Sequence, residues 1–341
     1  MTPPATRREA RAAHLLATAP VPVRHARARR AARIRVGFAA VAAAALGIGG
    51  AAAITAAVIA PELSASAGLV AEATPTASPV PLPQAVSELP APKVEAAAAI
   101  ADLCADPAFV AALESGDDEA TLAAAGGAEP FRAAVASGTA ECVSLADPAR
   151  LWVVVNKARA SDPIDYRPGG LAAPAGVRDI AGGSLRGEAA GALADMIAAA
   201  RAAGAGEIAL ESGFRSYATQ QSTYGRQVSS RGAAGADLVS ARPGYSEHQT
   251  GLAADVTACT YGCDDMGTFG GTAQQEWVAA HSWEFGWIVR YVEGRTEITG
   301  YSPEPWHLRY IGPELASVYH EGGWQSLEEF FGLPAAPDYG D

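Results

Sequence analysis

A run of 25 residues without a charged side chain, residues 36–60, constrains this chain more than any other sequence feature. A helix of that length measures ~37 Å at ~1.5 Å per residue, which is enough to cross a bilayer. The 35 residues before it contain nine Arg and a single acid, Glu9. Because basic flanks stay in the cytoplasm, the pattern predicts a single-pass membrane anchor with the rest of the chain outside the cytoplasm.

Two other interpretations of this run remain open. It can be a buried core helix, although core helices seldom lack charges over such a length. It can also belong to a signal peptide, because Ala65-Ser66-Ala67 resembles an A-x-A cleavage site. The long basic flank favours a retained anchor, with secretion after cleavage as the alternative.

Shifts in composition divide the chain into segments. A Pro-rich and Ala-rich stretch predicts an extended linker, and the Ala-rich stretch after it predicts short helices interrupted by glycine. The chain is predicted to begin with a cytoplasmic Arg-rich tail (residues 1–35), a transmembrane anchor (36–60) and a Pro/Ala-rich linker (61–93). A small helical pre-domain (94–147), the main domain (148–335) and a C-terminal tail (336–341) follow.

The charge balance excludes one class of function. The whole chain carries a net charge of −12, although its first 35 residues are basic, so the remainder is strongly acidic. Phosphate binding needs clustered Lys and Arg, and this acidic part has no basic stripe. The sequence therefore predicts no nucleic-acid partner.

Four cysteines lie beyond the apolar run, and an even number in an exported chain favours disulfides over metal thiolates. Three pairings can be drawn. Local pairing, Cys104 with Cys142 and Cys259 with Cys263, is the simplest. The alternative for the C-x-x-x-C pair is a zinc knuckle, which needs two further ligands close by.

The pattern of apolar residues after residue 147 predicts an α+β fold, a small antiparallel sheet with surrounding helices. Residues 185–203 have apolar side chains at helical spacing and precede Gly204, a typical helix stop. Short runs rich in apolar, β-branched or aromatic residues predict strands. These runs lie at residues 151–155, 208–210, 252–256, 287–291 and 306–311.

Two short motifs carry the candidate chemistry. Residues 246–255 fit the pattern S-x-H-x-x-G-x-A-x-D, with His248 before a predicted strand and Asp255 within it. A turn at Gly251 can bring the imidazole and the carboxylate to one cation. Residues 304–307 read Glu-Pro-Trp-His, which places an acid three residues before a second histidine.

A catalytic zinc ion takes three protein ligands and keeps one position for water. His248, Asp255 and His307 complete such a set and leave Glu304 free as a general base. Taken singly, each has an ordinary structural explanation. The combination indicates a metal-dependent hydrolase with a Zn²⁺ cofactor.

Together these motifs resemble the VanY-type D-alanyl-D-alanine carboxypeptidases, zinc peptidases that act on bacterial peptidoglycan. A third element of that family, S-G-[FY]-R-S followed by Q, is present at residues 212–216 with Gln220 after it. The resemblance covers about residues 151–333 and makes residues 148–335 a zinc peptidase domain.

The resemblance implies a role for each matching residue. His248, Asp255 and His307 are implied to bind zinc. Glu304 is implied to be the general base. Arg215 is implied to contact the substrate or the oxyanion that develops during the reaction.

The implied substrate is a peptidoglycan stem peptide that ends in D-Ala-D-Ala and loses its terminal D-Ala. Ser246 and Gln220 are implied to bind it, and Trp306 to form a wall of the pocket. The alternatives are a related wall zinc peptidase, either an endopeptidase or an L,D-carboxypeptidase, and a non-catalytic cell-wall-binding module. The sequence does not indicate an oligomeric state.

The anchor prediction can be tested on intact cells whose wall has been removed. We expect added protease to digest the domain that follows residue 93, because the basic flank holds the N-terminus in the cytoplasm. An epitope placed before residue 36 is the matched control and should be protected. Complete protection of the C-terminal domain would contradict the predicted orientation.

Overall fold

The structure is a computed structural model that describes residues 102–260 and 262–340. The predicted cytoplasmic tail, membrane anchor and linker lie outside the described residues. Among the residues that are described, no helix combines the length and the apolar character needed to cross a bilayer. The described residues comprise most of the predicted helical region and the main domain.

Short helices open the described chain, as the glycine-interrupted sequence predicts. Asp106 and Asp117 cap two of them by accepting hydrogen bonds from backbone N–H groups in the first turn. Gly116 and Gly138 adopt the left-handed conformation that ends a helix. After a 3-10 turn, the helices are Pro107–Ser115 (α1), Asp118–Ala124 (α2) and Ala128–Ser137 (α3).

These helices share an apolar core with the C-terminal end of the chain. Phe131 packs against Trp152 with ring centroids 4.8 Å apart. Both side chains belong to one buried cluster that also contains Leu315 and Phe330. Because burial of apolar surface is the main stabilising contribution, this shared core holds the helical region on the main domain.

Helices and strands alternate irregularly after residue 147. The predicted helix at residues 185–203 starts two residues later than expected, because Leu185–Arg186 pairs as a strand with Leu171–Ala172. The helices are Gly187–Ala202 (α4), Tyr217–Asp237 (α5), Ala273–His281 (α6), Thr296–Thr299 (α7), Pro313–Glu321 (α8) and Leu327–Phe330 (α9). The strands are Leu171–Ala172 (β1), Arg178–Asp179 (β2), Leu185–Arg186 (β3), Glu207–Ser212 (β4), Ala253–Cys259 (β5), Trp287–Tyr291 (β6) and Glu304–Tyr310 (β7).

The main sheet has five strands in the order β2-β4-β5-β7-β6. Its neighbouring pairs are antiparallel except β2 and β4, which run parallel. Helix α4 lies between β2 and β4 in sequence and provides the long crossover that a parallel pair needs. The α+β prediction is confirmed, and the expectation of a purely antiparallel sheet is corrected at this one edge.

The predicted strand at residues 151–155 is wrong, although its apolar side chains are buried. Trp152 and Val154 point into the core of the helical region, whereas Val153 packs into the core beneath the sheet. The Arg309 guanidinium donates to the Val153 carbonyl at 2.8 Å, where a neighbouring strand would otherwise donate. The alternating burial reflects a segment that runs between two cores.

The register of the sheet brings the candidate residues together. Asp255 on β5 lies directly opposite His307 on β7. Register irregularities precede the pairing of Ser212 with Asp255 and that of Tyr291 with Glu304. Such irregularities bend a strand and redirect its side chains. Both irregularities therefore lie next to candidate site residues, where the direction of the side chains changes.

Both predicted disulfides are present, Cys104–Cys142 and Cys259–Cys263. The zinc-knuckle alternative for the second pair is therefore wrong. The first bridge joins the 3-10 turn before α1 to the loop after α3, and the second closes the end of β5.

We expect the two disulfides to differ in their contribution to stability. Their cysteines are separated by 38 and 4 residues, and the entropy removed from the unfolded chain grows with loop length. Replacing Cys104 and Cys142 by Ala should lower the free energy of unfolding by about 4 kcal/mol, and replacing Cys259 and Cys263 by about 2 kcal/mol. Urea denaturation of the two double variants measures both values, and a larger loss for the shorter loop would contradict the expectation.

Candidate active site

Three candidate ligands meet at one end of the main sheet. His248 lies in the 3-10 turn Glu247–Thr250, Asp255 lies in β5 and His307 lies in β7. One nitrogen or oxygen atom from each lies within 4.8 Å of the others, and all three residues are buried. This arrangement can hold a metal ion.

The turn between His248 and Asp255 depends on Gly251. Its φ of +72° is in the left-handed region, which glycine adopts without strain. Its N–H donates to the His248 carbonyl at 3.2 Å and closes the turn. A Cβ there would also lie 3.2 Å from Pro168, so the glycine of the motif is needed for both conformation and space.

His248 is oriented by the segment that follows β4. Its Nδ1 lies 2.7 Å from the carbonyl oxygen of Gly213. A carbonyl only accepts hydrogen bonds, so Nδ1 carries the proton and Nε2 carries the lone pair. Nε2 is buried without a hydrogen-bond partner and lies 3.2 Å from Asp255 Oδ2. A Cβ on Gly213 would overlap the Ser184 carbonyl oxygen, so only glycine permits this approach.

His307 is held between two carboxylates. Its Nδ1 lies 3.0 Å from Asp255 Oδ1, and its Nε2 lies 3.2 Å from Glu247 Oε2. Burial disfavours the charged ring, but the hydrogen bonds to Asp255 and Glu247 outweigh it and raise the pKa of His307 to about 9. Replacement of the Nδ1 proton by a metal would leave the remaining proton on Nε2, beside Glu247. The His248 Nε2, the His307 Nδ1 and the Asp255 carboxylate thus form a nitrogen and oxygen donor set that fits zinc.

Glu304 lies beside this donor set, at the start of β7. Its Oε2 is 3.8 Å from His307 Nδ1, and only 14% of its side chain is exposed. Burial disfavours the charged carboxylate and raises the pKa of Glu304 to about 7. A carboxyl group with that pKa can both accept and return a proton near neutral pH.

The surrounding groups set the protonation states of two candidate ligands, His248 and Asp255. Burial and the nearby Arg215 cation lower the pKa of His248 to about 4, so its imidazole is neutral at pH 7. Burial alone would raise the pKa of Asp255, but His248 and His307 outweigh it and hold that pKa well below its usual range. A neutral imidazole and a charged carboxylate are the forms in which these side chains bind metals.

Arg215, Ser246 and Trp306, three of the other predicted site residues, lie close to the cluster. Arg215 Nη2 lies 3.7 Å from Asp255 Oδ2, and its Nε is buried without a hydrogen-bond partner. Ser246 and Trp306 line the same pocket as the cluster. Arg215 therefore has donor capacity left for a bound ligand.

A pocket of about 300 Å³ opens over the cluster. Its lining includes residues of α5 and tyrosines from β6 and from the loop before β7. These residues are Thr223, Gln227, Arg231, Tyr291 and Tyr301.

Gln220 also lies in α5 and is fully buried. Its side-chain amide donates to the Ala241 carbonyl at 2.7 Å, and Ala241 lines the pocket. Gln220 itself does not line the pocket and supports a residue that does, and its assignment to substrate binding stays a prediction.

Sequence reasoning missed a buried charged group next to the cluster. Glu247 contacts His307, and Arg290 and Arg309 both contact Glu247. A signal for this group is present in the sequence, since Arg290 and Arg309 are charged residues inside apolar strand runs. What they pair with is visible only in three dimensions.

Comparisons with known proteins agree with this geometry. A family model described as VanY, D-alanyl-D-alanine carboxypeptidase, matches residues 182–313. A D-alanyl-D-alanine carboxypeptidase of Enterococcus faecalis (strain ATCC 700802 / V583) is 40% identical over 148 residues, covering 40% of this chain and 52% of that protein. YodJ of Bacillus subtilis (strain 168), to which carboxypeptidase activity is attributed, is 38% identical over 192 residues, covering 55% of this chain and 69% of YodJ. This chain belongs to the VanY family.

A solved structure is similar to this VanY-family chain in both sequence and fold. It is the LdcB LD-carboxypeptidase, with 39% identity, coverage of 54% of this chain and 86% of LdcB, and a TM-score of 0.50. The residues that match the VanY model include the three candidate ligands, Arg215 and Glu304. The helical region before residue 147 lies outside that match.

We expect the purified VanY-family protein to bind one zinc ion per chain through the cluster. His248→Ala and His307→Ala should each abolish the bound zinc, because two remaining ligands do not form a closed site. His281→Ala is the matched control, since His281 pairs with Glu284 on the surface. Metal content measured by inductively coupled plasma mass spectrometry checks this, and full zinc retention in both cluster variants would refute the ligand assignment.

Proposed function

We propose that this VanY-family protein is a zinc-dependent D-alanyl-D-alanine carboxypeptidase that removes the terminal D-Ala from peptidoglycan stem peptides. The observation that carries the proposal is the convergence of His248, Asp255 and His307 beside a buried Glu304 of raised pKa. Family membership supplies the reaction class. The pocket supplies the space for the end of a peptide.

In this proposal His248 Nε2, His307 Nδ1 and the Asp255 carboxylate hold the zinc ion. Zinc in such a site acts as a Lewis acid, which polarises a carbonyl group and makes water acidic near neutral pH. The three side chains are oriented before any ligand arrives, because each is buried and bonded to its surroundings. Little reorganisation is then required on binding.

Glu304 acts as the general base and then as the general acid. Its carboxylate takes a proton from the attacking water, and its carboxyl group returns a proton to the departing amine of D-Ala. Burial of Glu304 supports both steps, because it brings the pKa of this group to about 7. The Pro residues on either side of Glu304 restrict the local backbone.

Arg215 binds a negatively charged oxygen of the substrate. Its unpartnered Nε and its Nη2 near Asp255 place a cation at the edge of the cluster. A guanidinium at that place serves either the terminal carboxylate or the carbonyl oxygen on which charge develops. Ser246 and Trp306 complete the proposed contacts, Ser246 as a polar partner and Trp306 as an apolar wall.

We place this activity outside the cytoplasm, in the layer where stem peptides occur. The support is the sequence pattern of the basic tail, the apolar run and the linker at residues 1–93, all outside the described residues. The proposed partners are the membrane, through the anchor, and peptidoglycan. Two disulfides in the described chain suit an oxidising location.

An L,D-carboxypeptidase is the second candidate function. The similarity to LdcB favours it, because that enzyme has the same reaction type with a different configuration at the scissile bond. The two functions predict different products from a stem pentapeptide. A D,D-carboxypeptidase stops at the tetrapeptide, whereas an L,D-carboxypeptidase acts on the tetrapeptide and yields the tripeptide.

Mass spectrometry of synthetic stem peptides tests the proposal. We expect the zinc-loaded protein to remove one alanine from a pentapeptide that ends in D-Ala-D-Ala and to leave a tetrapeptide intact. Cleavage of the tetrapeptide alone would establish the second candidate. Failure to cleave either peptide would contradict both.

We expect Glu304→Gln to separate catalysis from metal binding. The replacement is nearly isosteric and leaves the three ligands in place, but it removes the group that transfers the proton. kcat should fall by about 10²- to 10⁴-fold while zinc content stays near one per chain. Glu297→Gln on the surface helix α7 is the matched control and should keep kcat. Loss of zinc from Glu304→Gln, or an unchanged kcat, would show that the assigned role is wrong.

A further inference from the structure

We propose that Glu247 is a positioning residue that fixes His307 with its Nδ1 lone pair directed at the metal site. The inference rests on the proposed metal centre and extends it to a residue outside the ligand set. Glu247 lies directly before His248, at the variable position of the S-x-H motif. Its side chain is completely buried.

The two oxygens of Glu247 have separate partners. Oε2 faces His307 Nε2 at 3.2 Å. Oε1 accepts hydrogen bonds from Arg290 Nε at 2.9 Å and from Arg309 Nη1 at 3.0 Å. The two guanidinium groups therefore compensate the charge on one side, and the other side is left for the imidazole.

Both ring nitrogens of His307 face carboxylates, Nε2 facing Glu247 and Nδ1 facing Asp255 at 3.0 Å. Asp255 belongs to the proposed ligand set, so a metal bound there would replace the proton on Nδ1. The neutral ring would then keep its proton on Nε2, where Glu247 accepts it, with the lone pair on Nδ1. Carboxylates that accept from the second nitrogen of a ligating histidine fix its orientation and raise its basicity.

The support for Glu247 extends beyond the residues that match the family model. Arg290 donates on its far side to Glu328 of α9, with Nη1 and Nη2 at 3.0 and 2.8 Å from the two carboxylate oxygens. Glu328 also accepts from Asn156 Nδ2 at 2.9 Å. Asn156 and Glu328 lie before and after the matched residues 182–313, so both flanking segments take part in holding the site.

A purely structural role for Glu247 would be to neutralise Arg290 and Arg309. Glu247→Gln distinguishes the two roles because an amide has a single acceptor oxygen. Both arginines donate to the same side of the residue 247 side chain. In the Gln variant the amide oxygen would therefore face the arginines, and the amide NH₂ would face His307. The ring must then accept at Nε2 and carry its proton on Nδ1, where the proton blocks the metal.

The test measures zinc affinity in the intact protein, by competition with a chromophoric chelator. We expect Glu247→Gln to weaken zinc binding by about 10- to 100-fold, the usual effect of removing such a partner. Glu247→Asp keeps the charge but shortens the reach to His307, and it should also weaken binding by about 10-fold. It serves as the second variant if Glu247→Gln does not fold.

The matched control is Asp118→Asn, in the helical region. Asp118 pairs with Arg150 at 3.0 Å and accepts from the Leu151 N–H, far from the ligand set in sequence. Its loss should lower the thermal unfolding temperature and leave zinc affinity unchanged. Long-range ¹H–¹⁵N correlation spectra of the zinc-loaded proteins should show His307 protonated on Nε2 in the parent and in Asp118→Asn.

A folded Glu247→Gln or Glu247→Asp variant that binds zinc within about twofold of the parent would overturn the proposal. A parent protein that binds no zinc would instead refute the metal centre on which the proposal rests. Peptide cleavage does not enter this test. Its result is therefore independent of which stem peptide the enzyme cleaves.

Discussion

Charge compensation inside the sheet is the constraint on which the rest of the site depends. Arg290, Arg309, Glu247 and Glu328 are all fully buried, and an unpaired charge at any of these positions would be strongly destabilising. The structure solves this by joining them in a continuous chain of ion pairs. Glu247, which links the two arginines in that chain, also contacts His307, so the same contacts that permit the burial of charge also orient a candidate ligand. Stability and site geometry are therefore coupled through Glu247.

The backbone supplies the other part of the geometry. Antiparallel pairing of β5 with β7 sets Asp255 opposite His307, and a left-handed turn at Gly251 returns His248 to the same place. Gly213 lets the segment after β4 pass close enough to bond the His248 ring. Together these backbone contacts arrange the nitrogen and oxygen donors before a ligand binds. Pre-organisation of this kind is what allows polar groups to act strongly in a buried site.

The sequence allowed the fold class to be predicted from its apolar runs and much of the candidate site from its motifs. Motif spacing predicted that His248, Asp255 and His307 share one site with Glu304 beside it, and the structure brings these four side chains together. Apolar runs located β4, β5, β6 and β7 within a few residues. The run at residues 151–155 misled the prediction, because burial between two cores gives the same alternation as burial in a sheet. The motif did not reveal that Gln220 is buried and bonds a residue of the pocket wall, because a polar residue in a motif can support a wall as well as face a ligand.

By itself, the sequence determined the residue types of the candidate donor set and the α+β class, because residue type, spacing and local periodicity carry that information. It favoured local pairing of the cysteines, and the structure gave the two pairs. Only the tertiary structure decided which buried charges meet, which nitrogen of each imidazole is free and which segments outside the family match support the site. Those properties depend on contacts between residues far apart in the chain. Asn156 and Glu328 are separated by 172 residues in the chain, and they share a buried hydrogen bond. No local pattern encodes such a contact.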